Sequence, residues 1–217
     1  MKRAIGLIVG VLLTIAPVAI QAQANIPVGS VRGLEPVRFR LDAARSTFLV
    51  HANRAGLAWF KGHSHRIAVK DFSGEVSLAL VALNPASLEL TVRVNSLEET
   101  DPVFTPEQKA VIKKELDELV LESAKYPEIK FRSTDVKGSI KQGGFDVEIG
   151  GDLTLHGVTR HITIPARVTI DGNSLRAVGE FEINRKKYGV KATTAARGLV
   201  RVRHGIKFKF DIIGTRV

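Results

Sequence analysis

Residues 151–170 read GDLTLHGVTRHITIPARVTI. Leu153 and Leu155, then Ile162, Ile164, Ala166, Val168 and Ile170, fall at every second position. A period of two puts one set of side chains on a buried face and the other in water, so each run is a strand. The gap between them, His156-Gly157-Val158-Thr159, is turn-sized and contains Gly, so the two strands make a hairpin. The same alternation recurs along the chain. Phe48, Val50 and Ala52 share one face, as do Leu88, Leu90, Val92 and Val94, and Phe208, Phe210 and Ile212.

Working outward, Asp171-Gly172-Asn173 is a second hairpin turn. Strands follow at 175–183, 199–202 and 206–213, with a basic loop at 184–194. Pro165 has no N–H for a ladder, which predicts a sheet edge or a bulge. Upstream, 129–140 and 145–155 form strands joined through Gln142-Gly143-Gly144, and Gly150-Gly151 predicts a bulge. Residues 37–41 and 47–53 read as the first two strands, separated by a turn at 42–46. Residues 67–72 and 74–83 read as two strands, or one long strand bent at Ser73-Gly74. One stretch changes period. Thr105-Pro106-Glu107-Gln108 is a helix start, with Thr as N-cap, Pro at the first helical position and Gln three residues after the cap. Ile112, Leu116 and Leu119 follow at helical spacing, predicting an amphipathic helix over 106–123 that lies on the sheet or over a barrel end. With at least eight hairpin-connected strands and no βαβ alternation, the sequence predicts an all-β antiparallel barrel of about eight strands with one inserted helix. Closure is expected because it removes the sheet edges.

The chain has 217 residues, enough for one domain with a real core. Residues 1–24 have the pattern of a secretory signal peptide: Lys2 and Arg3, an apolar run over 4–20, and the small-x-small site Ala22-Gln23-Ala24. Residues 25–37 carry Pro27, Gly29, Gly33 and Pro36 and read as an N-terminal arm. The barrel domain is expected over 38–217. The chain has no Cys, which excludes thiol catalysis and Cys-based metal sites. Cleavage after the leader removes two of 32 basic residues and leaves 30 against 22 acidic ones, a net +8. That charge is compatible with peripheral contact with an anionic membrane surface, but a plain solvated surface is the simpler reading. No nucleic-acid-binding motif is present.

Several ordered motifs resemble one family. Leu41-Asp42-Ala43-Ala44-Arg45-Ser46-Thr47 is similar to the opening strand-turn of YceI-like proteins, and Asp71-Phe72-Ser73-Gly74 to their DFSG bend. Lys125-Tyr126-Pro127-Glu128-Ile129-Lys130-Phe131-Arg132-Ser133 resembles their KYPxIxFxS. Residues 151–160, GDLTLHGVTR, resemble their GdLTLHGvTr signature. The resemblance runs from about Phe39 to the C-terminus. It implies a lipocalin-like barrel, export to the periplasm, and a long apolar tunnel that binds an isoprenoid-type or other amphipathic lipid. The chain departs from the family pattern in two places. Leu119-Val120-Leu121 stands where an aromatic pair is usual, and Lys61-Gly62-His63-Ser64-His65 is a variant with two histidines. Both bear on which ligand is held.

The inward apolar set is the expected working surface: Phe39, Phe48, Val50, Leu90, Val92, Phe131, Leu153, Leu155, Ile164, Phe181, Phe208 and Phe210. Trp59 and Phe60 are placed at the mouth. Alternation suits a filled core as well as a hollow one, and it is the resemblance that implies a tunnel. Arg185-Lys186-Lys187 and Arg201, Arg203 and Lys207 form cationic surface that suits a headgroup or simply water. His63 and His65 have the spacing that puts both rings on one face of a strand, and His51 would complete a metal site if its strand lay alongside. The plainer use is hydrogen bonding to backbone at the mouth. His156 reads as a turn-stabilising residue. No G-x-S-x-G, H-E-x-x-H, P-loop or Rossmann motif is present. The reading is therefore a non-catalytic lipid-binding protein with no cofactor. Its alternative is a histidine-based metal- or cofactor-binding protein, with an enzyme as its extension. A dimer is compatible with the sequence.

Overall fold

The computed structural model describes residues 35–55, 63–80, 82–191 and 201–217, all within the compact unit Arg32–Val217. Ten strands form one antiparallel sheet: β1 (Val37–Ala55), β2 (His65–Val69), β3 (Phe72–Ala79), β4 (Ala82–Arg93), β5 (Leu97–Glu99), β6 (Glu128–Lys141), β7 (Gly144–Leu155), β8 (Val158–Asp171), β9 (Ser174–Asn184) and β10 (Arg201–Arg216). Their order is β10-β9-β8-β7-β6-β4-β3-β1-β2-β5, and β10 pairs back onto β1. Two of the ten are continuations of a neighbour. β2 and β3 lie against successive stretches of the same β1, at Leu49↔Ala68 and Arg40↔Glu75. β4 passes into β5 through a single turn at Val94–Ser96. The result is a closed, lipocalin-like antiparallel barrel of eight staves, two of them bent.

The bend lies at Lys70-Asp71, not at Ser73-Gly74. There the Lys70 N–H donates to the Ser96 carbonyl at 3.2 Å and the Asp71 N–H to Ser96 Oγ at 2.9 Å, so the two bent staves break together. Gly74 has a different task. A Cβ on it would fall 2.3 Å from the Glu89 carbonyl oxygen, so the glycine lets β3 and β4 approach.

The expected turn at 42–46 is a bulge inside one long strand. Asp42 Oδ1 accepts from the Ala44 and Arg45 N–H groups at 3.0 and 3.2 Å. Ser46 Oγ donates to the Asp42 carbonyl and accepts from the Ile213 N–H at 2.9 Å. The pairing with β10 then resumes from Thr47↔Asp211 after Asp42↔Ile213. Likewise 201–216 is one strand rather than two. At Gly150-Gly151 the extra residue sits opposite, on β6, where the register passes from Ser133↔Gly151 to Asp135↔Gly150. The glycines make room for it: a Cβ on Gly150 would meet Asp135 Oδ1 at 2.3 Å. Pro165 lies at a local edge. Pairing of β8 with β9 runs from Asp171↔Ser174 only as far as Arg167↔Val178.

The inserted helix α1 (Pro106–Glu115) begins as expected. Thr105 Oγ1 accepts from the Gln108 N–H, and Gln108 Oε1 accepts from the Thr105 N–H at 2.9 Å, a complete capping box. The helix continues as one wider turn over Leu116–Val120, in which the Leu121 N–H donates to the Leu116 carbonyl at 2.9 Å. The added residue rotates the apolar face. Ile112, Leu116 and Val120 turn inward, whereas Leu119 is 61% exposed. Helical geometry ends at Val120, and Glu122 then takes a left-handed φ of 49°. Thr105→Ala is expected to destabilise this segment by about 1 kcal/mol. Hydrogen exchange of the amides of 107–116 should speed up several-fold while the barrel strands are unaffected.

The far end of the barrel is closed by apolar side chains. Phe39, Leu78, Phe145, Val147, Val168 and Leu175 form a separate buried cluster there, with Phe39 fully enclosed. The end under the helix is not filled in this way.

Candidate ligand-binding cavity

Between the packed end and the helix the barrel is hollow. Two cavities occupy it, one of about 190 Å³ under the helix and one of about 130 Å³ toward the packed end. Both are walled by inward positions of the alternating strands, and both touch Leu153 and Phe181. They are thus two chambers meeting at a neck. An aromatic ladder straddles that neck. Phe48 sits opposite Phe210, and Phe208 opposite Phe181. Phe181 stacks on Phe208 with centroids 4.8 Å apart, and Phe48 meets Phe210 edge-on at 6.4 Å.

The expected inward residues distribute as follows. Val50, Val92, Leu155 and Phe208 line the helix-side chamber, and Phe48, Leu90, Phe131, Ile164 and Phe210 the far one. Leu153 and Phe181 line both. Phe39 does not reach the cavity; its parity is right, but it is fully enclosed behind the side chains that close the far end. Trp59 and Phe60 lie outside the described residues. The helix supplies wall that alternation could not assign, through Ile112, Leu116 and Val120.

The two chambers differ in polarity. Among the described residues Ser87 is the one polar side chain on the far wall, whereas His65, Glu115, Arg185 and Lys191 stand on the helix-side wall. His65 is held by a buried carboxylate that sequence reading missed. Glu99, with its side chain fully enclosed, meets His65 Nδ1 at 2.8 Å through Oε2. Its Oε1 accepts from the Arg66 and Asp101 N–H groups at 3.1 and 2.8 Å. The His65 ring also stacks on Phe104, centroids 5.3 Å apart. Arg185 belongs to a stretch read as a solvated loop. It is instead a single helical turn, Arg185–Tyr188, capped by Asn184 and closed by Gly189 at a φ of 71°. Tyr188 is only 2% exposed and anchors the turn. Arg185 donates to three backbone carbonyls, those of Val190 at 2.9 Å, Arg203 at 3.2 Å and Val202 at 3.3 Å. Burial holds its guanidinium below the ordinary arginine value.

The histidines do not converge. Pairing of His51 with Arg66, and of Ala52 with His65, puts His51 and His65 on opposite faces of the sheet. His63 meets Phe104 edge-on at 5.4 Å. Among the described residues no group of three or more His, Asp or Glu side chains is placed to hold a metal ion. His156 is architectural. With Gly157 it makes a two-residue turn, at φ values of 51° and 74°, and β8 starts at Val158, two residues earlier than the spacing implied. Its Nε2 lies 2.6 Å from Glu122 Oε2 and its ring 4.3 Å from that of Tyr126, tying the hairpin to the segment after the helix.

His51 carries a pH dependence. Its Nε2 is buried without a hydrogen-bond partner among the described residues. Burial first, then Lys209, Arg66 and Lys207, depress its pKa below the usual 6.5, against an upward pull from Glu180. The folded state therefore prefers the neutral ring. Its contribution to stability is complete above the unfolded value and is lost as the pH falls through the folded one. His51→Gln should shrink the drop in melting temperature between pH 8 and pH 5. An unchanged drop would place that sensitivity elsewhere.

A closed antiparallel barrel that keeps a lined apolar cavity under a helical lid belongs to the lipocalin-like class of barrels. Residues 39–213 match the YceI-like domain, and the chain belongs to that family. Protein YceI of Escherichia coli O6:H1 is 32% identical over 118 residues, a match spanning about half of each chain, 54% of this one and 53% of the other. A UPF0312 protein of Enterobacter sp. (strain 638) is 30% identical over 174 residues, covering 79% of this chain and 74% of its own. Among solved structures, BcnA of Burkholderia cenocepacia superposes with a TM-score of 0.64 at 20% identity, covering 81% of this chain and 99% of that one. A polyisoprenoid binding domain from Saccharophagus degradans superposes with a TM-score of 0.60 at 14% identity, covering 83% and 99%.

Proposed function

We propose that the protein is an exported, periplasmic carrier or sequestering protein that holds an isoprenoid-type or other amphipathic lipid inside the barrel and performs no chemistry on it. The observation that carries this reading is the pair of apolar chambers that adjoin at Leu153 and Phe181. Membership of the YceI-like family and the likeness in fold to a polyisoprenoid binding domain support it. Each methylene buried in such a tunnel contributes about 0.8 kcal/mol, so a long tail is held tightly with few polar contacts. The leader pattern of residues 1–24 supports export. The basic surface suits a carrier that meets an anionic membrane to load or unload.

Native mass spectrometry of gently purified protein is the test. A stoichiometric lipid adduct, lost on organic extraction and restored on incubation with an isoprenoid lipid, is expected. Protein that is always ligand-free, and that no long-chain amphiphile loads, would sink the reading.

A further inference from the structure

Resting on the carrier reading, we infer that the ligand's polar end is an anion, a carboxylate or a phosphate, received by Arg185 and Lys191 at the helix side of the cavity. The asymmetry of the wall sets the orientation. Among the described residues the far chamber offers an apolar lining with Ser87 as its one polar side chain, and the charged groups stand on the helix-side wall. The tail therefore passes the neck and the head stays under the helix.

The sign of the head follows from how the charges are matched. Several cations elsewhere on the barrel have carboxylate partners, as in Arg176 with Asp211 at 2.6 Å, Arg167 with Asp146 at 2.9 Å and Arg93 with Glu128 at 2.8 Å. Arg185 has neutral carbonyls. All 22 acidic residues of the chain lie among the described residues, and none of them pairs with Arg185 or Lys191. Glu115 is the carboxylate on the same wall, one negative charge against two positive ones. A guanidinium taken partly out of water with no counter-charge is costly, and an anionic head supplies the missing partner.

The geometry of Arg185 fits that task. Its Nε and one N–H on each terminal nitrogen are spent on the three carbonyls, which fix the plane of the group. One N–H on each terminal nitrogen remains to donate to the oxygens of a carboxylate or phosphate. Preorganisation by backbone means that little further ordering is needed on binding.

The test is competition against Nile red, a neutral apolar probe, by three ligands sharing one tail: dodecanoate, dodecyl phosphate and dodecanol. Inorganic phosphate is the tail-free arm. One or both anionic amphiphiles should displace the probe at about tenfold lower concentration than dodecanol, and their ranking separates carboxylate from phosphate. Inorganic phosphate should leave the probe in place. Arg185→Gln and Lys191→Gln should each erase most of the preference and leave dodecanol unaffected. Lys191 makes no structural hydrogen bond among the described residues, so its variant tests the idea even where Arg185→Gln weakens the fold. Equal displacement by all three amphiphiles, or variants that weaken them all alike, would overturn the anion assignment and leave the carrier reading standing. Inorganic phosphate binding as tightly as dodecyl phosphate would also overturn it, marking a free-phosphate site. Failure of every amphiphile to displace the probe would overturn both.

Discussion

Leu153→Trp is expected to weaken binding of a long-chain amphiphile on the order of a hundredfold while leaving a short-chain one within a few-fold. Leu153 stands on β7 between Phe131 of β6 and Arg160 of β8, and it lines both chambers. An indole there blocks the neck from one side, with Phe181 on the other. A tail stopped at the neck loses about 0.8 kcal/mol for each methylene kept out, so four excluded methylenes already account for an effect of that size. A titration across a series of tail lengths reads this directly. In the parent protein affinity should climb with length well past the neck; in the variant it should level off early. Leu153→Phe, a smaller overpacking, should move the plateau less, and both need a melting temperature close to the parent's for the comparison to hold. Equal losses at all lengths would mean that the far chamber is never occupied and that the helix-side chamber binds alone.

The wall that this prediction depends on was readable in the sequence because a strand repeats every two residues. Once 151–170 was phased, Leu153, Leu155 and Ile164 were inward, and Phe131, Phe208 and Phe210 followed by the same parity. Parity says nothing about position along the barrel. Phe39 has the phase of a lining residue, yet it is fully enclosed in the packed end. The cap of the helix was legible because a capping box is local chemistry. Its inner face was not, because one wide turn at 116–120 exchanged Leu119 for Val120. The turn expected at 42–46 is a bulge for a related reason. The Asp42 and Ser46 hydrogen bonds look the same whether the chain reverses or only bulges, and the pairing with β10 decides between them. Arg185 and Glu99 were least legible. Charges in runs of charges read as solvated surface, and in a strand as short as Leu97–Glu99 the alternation that puts Glu99 on the face of Leu97 has too few residues to be read.

Glu99→Ala should have the largest effect on stability. The carboxylate is fully enclosed and serves three donors at once: His65 Nδ1, the Arg66 N–H and the Asp101 N–H. These join β2, β5 and the loop that leads to the helix. Removing the acceptor leaves two backbone donors and a ring nitrogen without partners in a buried place, a loss on the order of 3–5 kcal/mol. For a domain of this size that corresponds to a fall in melting temperature of about 10 °C. Glu99→Gln separates the causes. Its amide oxygen can still accept from the two backbone N–H groups, but its charge no longer attracts His65. A loss of about 1–2 kcal/mol is expected, with weaker orientation of His65 on the cavity wall. The local consequence should appear in hydrogen exchange. Amides of 65–69 and 97–101 should lose protection first, because among the described residues β5 pairs with β2 alone. A melting temperature within about 2 °C of the parent's for Glu99→Ala would mean that water takes over all three hydrogen bonds. The helix-side wall would then have to be wetter at His65 than its enclosed carboxylate implies.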